Sequence, residues 1–167
     1  MQGRSWRTDT VANMVRMSEA ASLGLHTMAL LARRGEKRST NQEIAEILGA
    51  SVHHLAKVMQ RLVRAKLVHS AVGPQGGFRL AHAARRIKLL EIYEAIEGPM
   101  GEPGCLLATR ICAGNDCVLG ELVERLNAEI RRYLERTTLA VMVESIALIK
   151  SLDASCVTCT GGKGGDR

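Results

Sequence analysis

A chain of 167 residues with 46% hydrophobic and 24% charged residues has the composition of one folded domain with short appendages, and a wholly disordered polymer is excluded. Its apolar runs are only a few residues long, against the roughly 20 that a bilayer span needs, and no apolar signal stretch follows the basic N-terminus, so the expected location is the cytoplasm, with no membrane partner. The formal charge of +6 is unevenly spread: residues 1–88 hold 15 Lys and Arg against 5 Asp and Glu, and residues 89–167 hold 8 against 12, which directs the first half towards a polyanion.

With Trp6, Phe78, Tyr93 and Tyr133 as the only aromatic residues, the core falls to Leu, Ile, Val, Met and Ala, a mixture that favours helices over sheet. Residues 1–16 lack periodicity and are expected to form a flexible extension, with Met14 as an alternative start to Met1. Ser18 can N-cap the run EAASLGLHTMALLAR, whose apolar residues recur at helical spacing up to the Gly35-containing turn. Thr40 followed by Glu43 spells a capping box and predicts a short helix over Asn41 to Leu48. Gly49 can end that helix in the left-handed conformation, and Ser51 can cap a second one running to about Ala65, with Leu55, Val58, Leu62 and Val63 inward. In HSAVGPQGGFRL, Gly73, Pro74, Gly76 and Gly77 break two short strand-like segments into a hairpin. The helix KLLEIYEAIEG closes at Gly98 and Pro99, which bounds a DNA-binding unit over 17–99, and the stretch 100–117 has no regular period.

From Val118 a long helix carries Leu119, Leu122, Val123, Leu126, Ile130, Tyr133 and Leu134 on one face. That stripe is longer than a small domain needs, so it is read as one side of a two-fold dimer seam in preference to an internal strut. Thr138 can cap a last helix through Leu152, making 118–152 a pair of dimerisation helices, and the Gly-rich tail 153–167 is expected to be disordered. The predicted fold is thus mainly α with a small β-wing: a winged helix-turn-helix plus a long C-terminal dimerisation helix.

In QEIAEILGASVHHLAKVMQRL, Ala45, Gly49 and Leu55 supply the small residue, the turn glycine and the buried aliphatic that a helix-turn-helix needs. Ser51, His53, His54, Lys57, Gln60, Arg61 and Arg64 fall on the exposed face of its second helix. Of these, Ser51, His53, His54 and Lys57 lie near the N-terminus, where base edges are read, and Arg61 is added as a further DNA contact. In the hairpin, Gln75 and Arg79 can approach the backbone or the minor groove. The competing reading of these cations is an ordinary solvated surface. No Gly-rich loop followed by Lys-Ser or Lys-Thr is present to cradle a nucleotide.

All five cysteines lie in the second half. Cys105, Cys112 and Cys117, six and four residues apart in the Gly-containing loop, can converge on one inorganic centre. The start of the following helix beside Cys117 favours a thiolate. Zinc usually takes pairs two to four residues apart, which the loop lacks. Cys156 and Cys159 form such a pair in the tail, readable as an adventitious disulfide or as the dithiol of a small oxidoreductase.

The opening MSEAASLGLHTMALLA, the helix-turn-helix EIAEILGASVHHLAKVMQRL, the hairpin GPQGGFRLA, the three-cysteine loop and the later RTTLAVM together resemble the IscR-NsrR family of winged-helix, iron-sulfur-type transcription regulators over Val15 to Leu152. The resemblance implies a homodimer joined through the long helix, a palindromic double-stranded DNA operator, and an iron–sulfur cluster, 2Fe–2S in preference to 4Fe–4S, held by Cys105, Cys112 and Cys117. Gly120 stands where some members place a ligating His and Ser22 where others place an acidic ligand, while His26, one helical turn later, matches a position where a member places a ligating His; the resemblance thus implies His26 as the fourth ligand, against the reading of a partly buried structural histidine. Val72 stands where some relatives carry a minor-groove Arg. The implied function is a DNA-binding regulator, a repressor in preference to an activator, sensing redox state, nitric oxide or iron–sulfur status. The alternatives are a cluster-free thiol-switch regulator and the dithiol oxidoreductase.

Overall fold

A computed structural model describes residues 17–73, 76–101 and 118–146. The N-terminal extension, Gln75 at the hairpin tip, Cys105, Cys112 and Cys117, and the tail with Cys156 and Cys159 lie outside the described residues. The chain runs α1 (Glu19–Arg34), α2 (Asn41–Leu48), α3 (Val52–Arg64), β1 (Val68–Ala71), β2 (Gly77–Leu80), a single 3-10 turn (Ala84–Arg86), α4 (Leu89–Glu97), α5 (Val118–Arg136) and α6 (Leu139–Ile146).

Local chemistry sets these boundaries. The Ser18 hydroxyl accepts from the Ala21 N–H and opens α1. Thr40 and Glu43 close a reciprocal capping box, the hydroxyl accepting from the Glu43 N–H and the carboxylate from the Thr40 N–H. Gly49, at φ +61°, turns the chain out of α2 with its N–H on the last carbonyls. Ser51 sits at the N-cap of α3 with extended backbone, but its side chain makes no capping hydrogen bond, so the hydroxyl stays with the exposed surface. At the start of α6 the Thr138 hydroxyl accepts from the Val141 N–H.

The core forms around α1, which packs against α2, α3, α4 and α6. Met28, Leu31, Ile44, Leu55, Leu62, Ile92 and Leu139 are fully buried within it. Segment 137–139 returns beside 87–89, where the Leu89 N–H donates to Thr137 O and the Leu139 N–H to Ile87 O. Helix α6 is thereby laid on α1, and Leu139 belongs to the core of the N-terminal unit, a placement its own short apolar run does not announce.

The two strands pair antiparallel, with Val68 opposite Leu80, His69 opposite Arg79, Ser70 opposite Phe78 and Ala71 opposite Gly77. Ser39 joins them from the α1–α2 connection by exchanging both backbone hydrogen bonds with Phe78. This approach is close enough that a Cβ at Gly77, whose φ is +131°, would lie 2.8 Å from the Ser39 carbonyl oxygen. Only glycine fits there. The hairpin is therefore fixed to the α1–α2 connection through β2, near its turn end, while Val72 beyond the last strand pair is fully exposed.

On α5 the apolar stripe has two edges. Leu134 is buried and Ile130 half-buried against the core, whereas Leu119, Leu122, Leu126 and Tyr133 are exposed, together with Val141 on α6. No helix among the described residues is long and apolar enough to cross a membrane.

Candidate nucleic-acid interface

Burying Leu55, Val58, Met59 and Leu62 fixes the rotation of α3 about its axis. At about 100° per residue, His53, Lys57, Gln60 and Arg64 are then carried to the side opposite the core, and all four are exposed. Exposed Ser51 lies at the start of the same helix, where unsatisfied backbone N–H groups and the positive end of the helix dipole suit an anion.

The remaining predicted residues of α3 point to its flank. His54 is half-buried, with Nδ1 3.6 Å from the Glu19 carboxylate at the start of α1. Arg61 donates through Nη1 to the Ile96 carbonyl in the last turn of α4. In the hairpin, Arg79 is ion-paired with Glu36, and Arg38 donates to Gly77 O at 3.4 Å. Of the predicted DNA contacts, the structure brings Ser51, His53 and Lys57 to one open surface and gives His54, Arg61 and Arg79 protein partners. Gln60 and Arg64, both recognisable in the sequence as exposed, share that open surface.

The exit of α4 is gripped from α5. Glu94 accepts from the Met100 N–H at 3.1 Å, Arg131 donates to Met100 O at 2.9 Å and lies 3.8 Å from Glu94, and Asn127 donates to Gly101 O at 3.1 Å. The backbone leading into the cysteine loop is therefore held by two helices, and one of them, α4, also touches the recognition helix through Arg61. Sequence patterning missed this clasp because Glu94, Asn127 and Arg131 read individually as surface residues.

His26 is exposed on α1, and its Nδ1–H donates to Ser22 O at 2.8 Å, an assignment of the proton that the carbonyl acceptor requires. In the neutral ring Nε2 then keeps the lone pair and is the atom through which this imidazole can ligate a metal. Among the described residues no three His, Cys, Asp or Glu side chains cluster as a metal site.

The profile of the Rrf2 family, described as iron-dependent transcriptional regulator, matches residues 17–145. BadM of Rhodopseudomonas palustris, named as an HTH-type transcriptional regulator, is 36% identical over 83 residues, which cover 50% of this chain and about half (53%) of BadM. A protein of Aquifex aeolicus named as an HTH-type transcriptional regulator is 30% identical over 129 residues, 75% of this chain and 90% of its own length. Among solved structures, T. potens IscR superposes with a TM-score of 0.68 at 26% identity, covering 86% of this chain and 96% of that one. CymR, the global cysteine regulator of B. subtilis, superposes with a TM-score of 0.68 at 26% identity, covering 79% and 98%.

Proposed function

The chain belongs to the Rrf2 family of transcriptional regulators, and we propose that it acts as a homodimer on a palindromic DNA operator, as a repressor whose affinity follows redox state, nitric oxide or iron–sulfur status. The observation that carries the DNA-binding part is the outer face of α3, where Lys57 and Arg64 stand exposed with no acidic partner among the described residues, followed by a hairpin tied by Ser39 to the α1–α2 connection. His53, Lys57 and Ser51 contact base edges and phosphates in the major groove. His54, Arg61 and Arg79 hold the reading head in place. Gln75 reaches DNA from the hairpin tip. The relatives are regulators and not enzymes, which removes the oxidoreductase reading of Cys156 and Cys159.

For the sensing part, His26 meets the test of a nitrogen ligand: it is exposed, and its Nδ1 is held by Ser22 O, which leaves Nε2 as the ligating atom. Cys105, Cys112 and Cys117 with His26 would hold an iron–sulfur cluster, 2Fe–2S in preference to 4Fe–4S. When bound, such a cluster supplies a centre sensitive to oxidants and nitric oxide. The chain's own residues then transmit its state: Glu94, Asn127 and Arg131 hold the backbone at Met100 and Gly101, and Arg61 ties α4 to the recognition helix. A shift of α4 biases the orientation of α3 between two arrangements of different operator affinity.

A second reading, favoured by the likeness to a protein named as a global cysteine regulator, is a cluster-free switch in which the loop thiols themselves are oxidised. Anaerobic purification with visible absorption and iron and sulfide assays, on wild type and His26→Ala, separates the two. Brown protein containing iron and sulfide, with loss or a spectral shift on substitution of His26, is the expected outcome. Colourless, iron-free protein after anaerobic reconstitution would move the assignment to the thiol switch.

A further inference from the structure

Helix α3 ends in an unusual way. Its C-cap is Ala65, and the next residue, Lys66, adopts φ +60°, the one left-handed non-glycine among the described residues. The Lys66 N–H bonds to Val63 O and the Leu67 N–H to Leu62 O, the two hydrogen bonds of a Schellman ending, a position that glycine fills at least conformational cost. A lysine held where glycine is cheaper directs attention to its side chain.

That side chain lines an open depression of about 410 Å³ with His69, Ser70 and His82 from the hairpin, over a floor that includes Val63, Val68 and Ala81. Lys66, His69, Ser70 and His82 are all exposed, and no acidic residue lines the depression. Its polar rim is thus made of groups that can donate hydrogen bonds, and Lys66 carries a fixed positive charge with no ion-pair partner among the described residues. Val63 and Ser70 also line the adjoining depression that holds Gln60 and Arg64 of the recognition helix. The two surfaces are continuous.

Resting on the DNA-binding reading above, we propose that Lys66, with His69, Ser70 and His82, forms a phosphate clamp at the base of the hairpin that grips the DNA backbone beside the groove entered by α3. Phosphate is the chemistry an acid-free donor set selects. Continuity with Gln60 and Arg64 assigns that phosphate to the bound duplex and not to a free anion. The clamp fixes register along the duplex and carries no sequence information.

Lys66→Gly tests it, because this change relieves the left-handed backbone while removing the charge. Fluorescence anisotropy of a mixed-sequence duplex is followed against salt concentration, with inorganic phosphate added at constant ionic strength in a parallel titration. The variant is expected to melt no lower than wild type, to lose roughly tenfold in affinity near 0.1 M salt, and to lower the slope of log K against log salt by about 0.9, the loss of one phosphate contact. Lys66→Asn, which also tolerates φ > 0, should reproduce the change in slope. An unchanged slope and affinity in a wild type that binds duplex would overturn the clamp alone. Inorganic phosphate that raises the melting midpoint of wild type but not of Lys66→Gly, without displacing duplex, would overturn it in favour of a free-anion site. A wild type that binds no duplex at all would overturn both the clamp and the DNA-binding reading.

Discussion

Lys57 and Arg61 lie four residues apart on α3, yet the structure gives them different surroundings. Lys57 is exposed and free to reach DNA, while Arg61 is bound to the Ile96 carbonyl. Lys57→Ala is therefore expected to weaken DNA binding about tenfold at moderate salt if it meets a phosphate, equally on all sequences; a loss confined to the operator would assign it to a base edge. Arg61→Ala should instead act on coupling: the ratio of operator affinities between the two redox states should shrink towards one. Titrating both variants in both states checks the pair, and a ratio left at the wild-type value would exclude Arg61 as the link. His26 follows the same logic. The family resemblance implied a ligand there, and the hydrogen bond to Ser22 O engages Nδ1, so that Nε2 is the nitrogen left for a metal.

At the scale of elements, the helix-turn-helix follows from short-range chemistry: the Thr40–Glu43 box, the left-handed Gly49 and the burial of Leu55 act within a few residues of one another. The hairpin depends on a longer contact. Its second strand is stitched to Ser39 at Phe78, and that stitch needs the missing side chain of Gly77. Gly77→Ala should cost on the order of 1–3 kcal/mol through φ strain and the clash with the Ser39 carbonyl. The expected readouts are a lowered melting midpoint and a larger loss of affinity for DNA than of helix content; wild-type stability would show that β2 can shift without penalty. The stripe of α5 likewise divides by contact, since Leu134 and Ile130 serve the core and Leu119, Leu122, Leu126 and Tyr133 remain uncovered.

For the whole molecule, the uncovered edge of α5 is the surface we assign to a second copy, because a row of exposed aliphatic residues along one helix is costly in water and matches a two-fold seam. Leu122→Glu should convert the dimer to monomer in sedimentation equilibrium and reduce operator affinity far more than Lys57→Ala does, since half-site binding loses its intramolecular second contact. A dimer of wild-type stability in this variant would place the seam elsewhere. The sequence by itself determined the helices, the capping box, the turn, the hairpin and the family likeness, because periodicity, caps and glycine chemistry operate over a few residues. Only the tertiary structure decided that α6 completes the core through Leu139, that Arg61, His54 and Arg79 have protein partners while Lys57 and Arg64 stay open, and that Lys66, His69 and His82 line one depression. Those outcomes join residues far apart in the chain, and a charged or small side chain reads the same in sequence whether folding brings it a partner or leaves it in water.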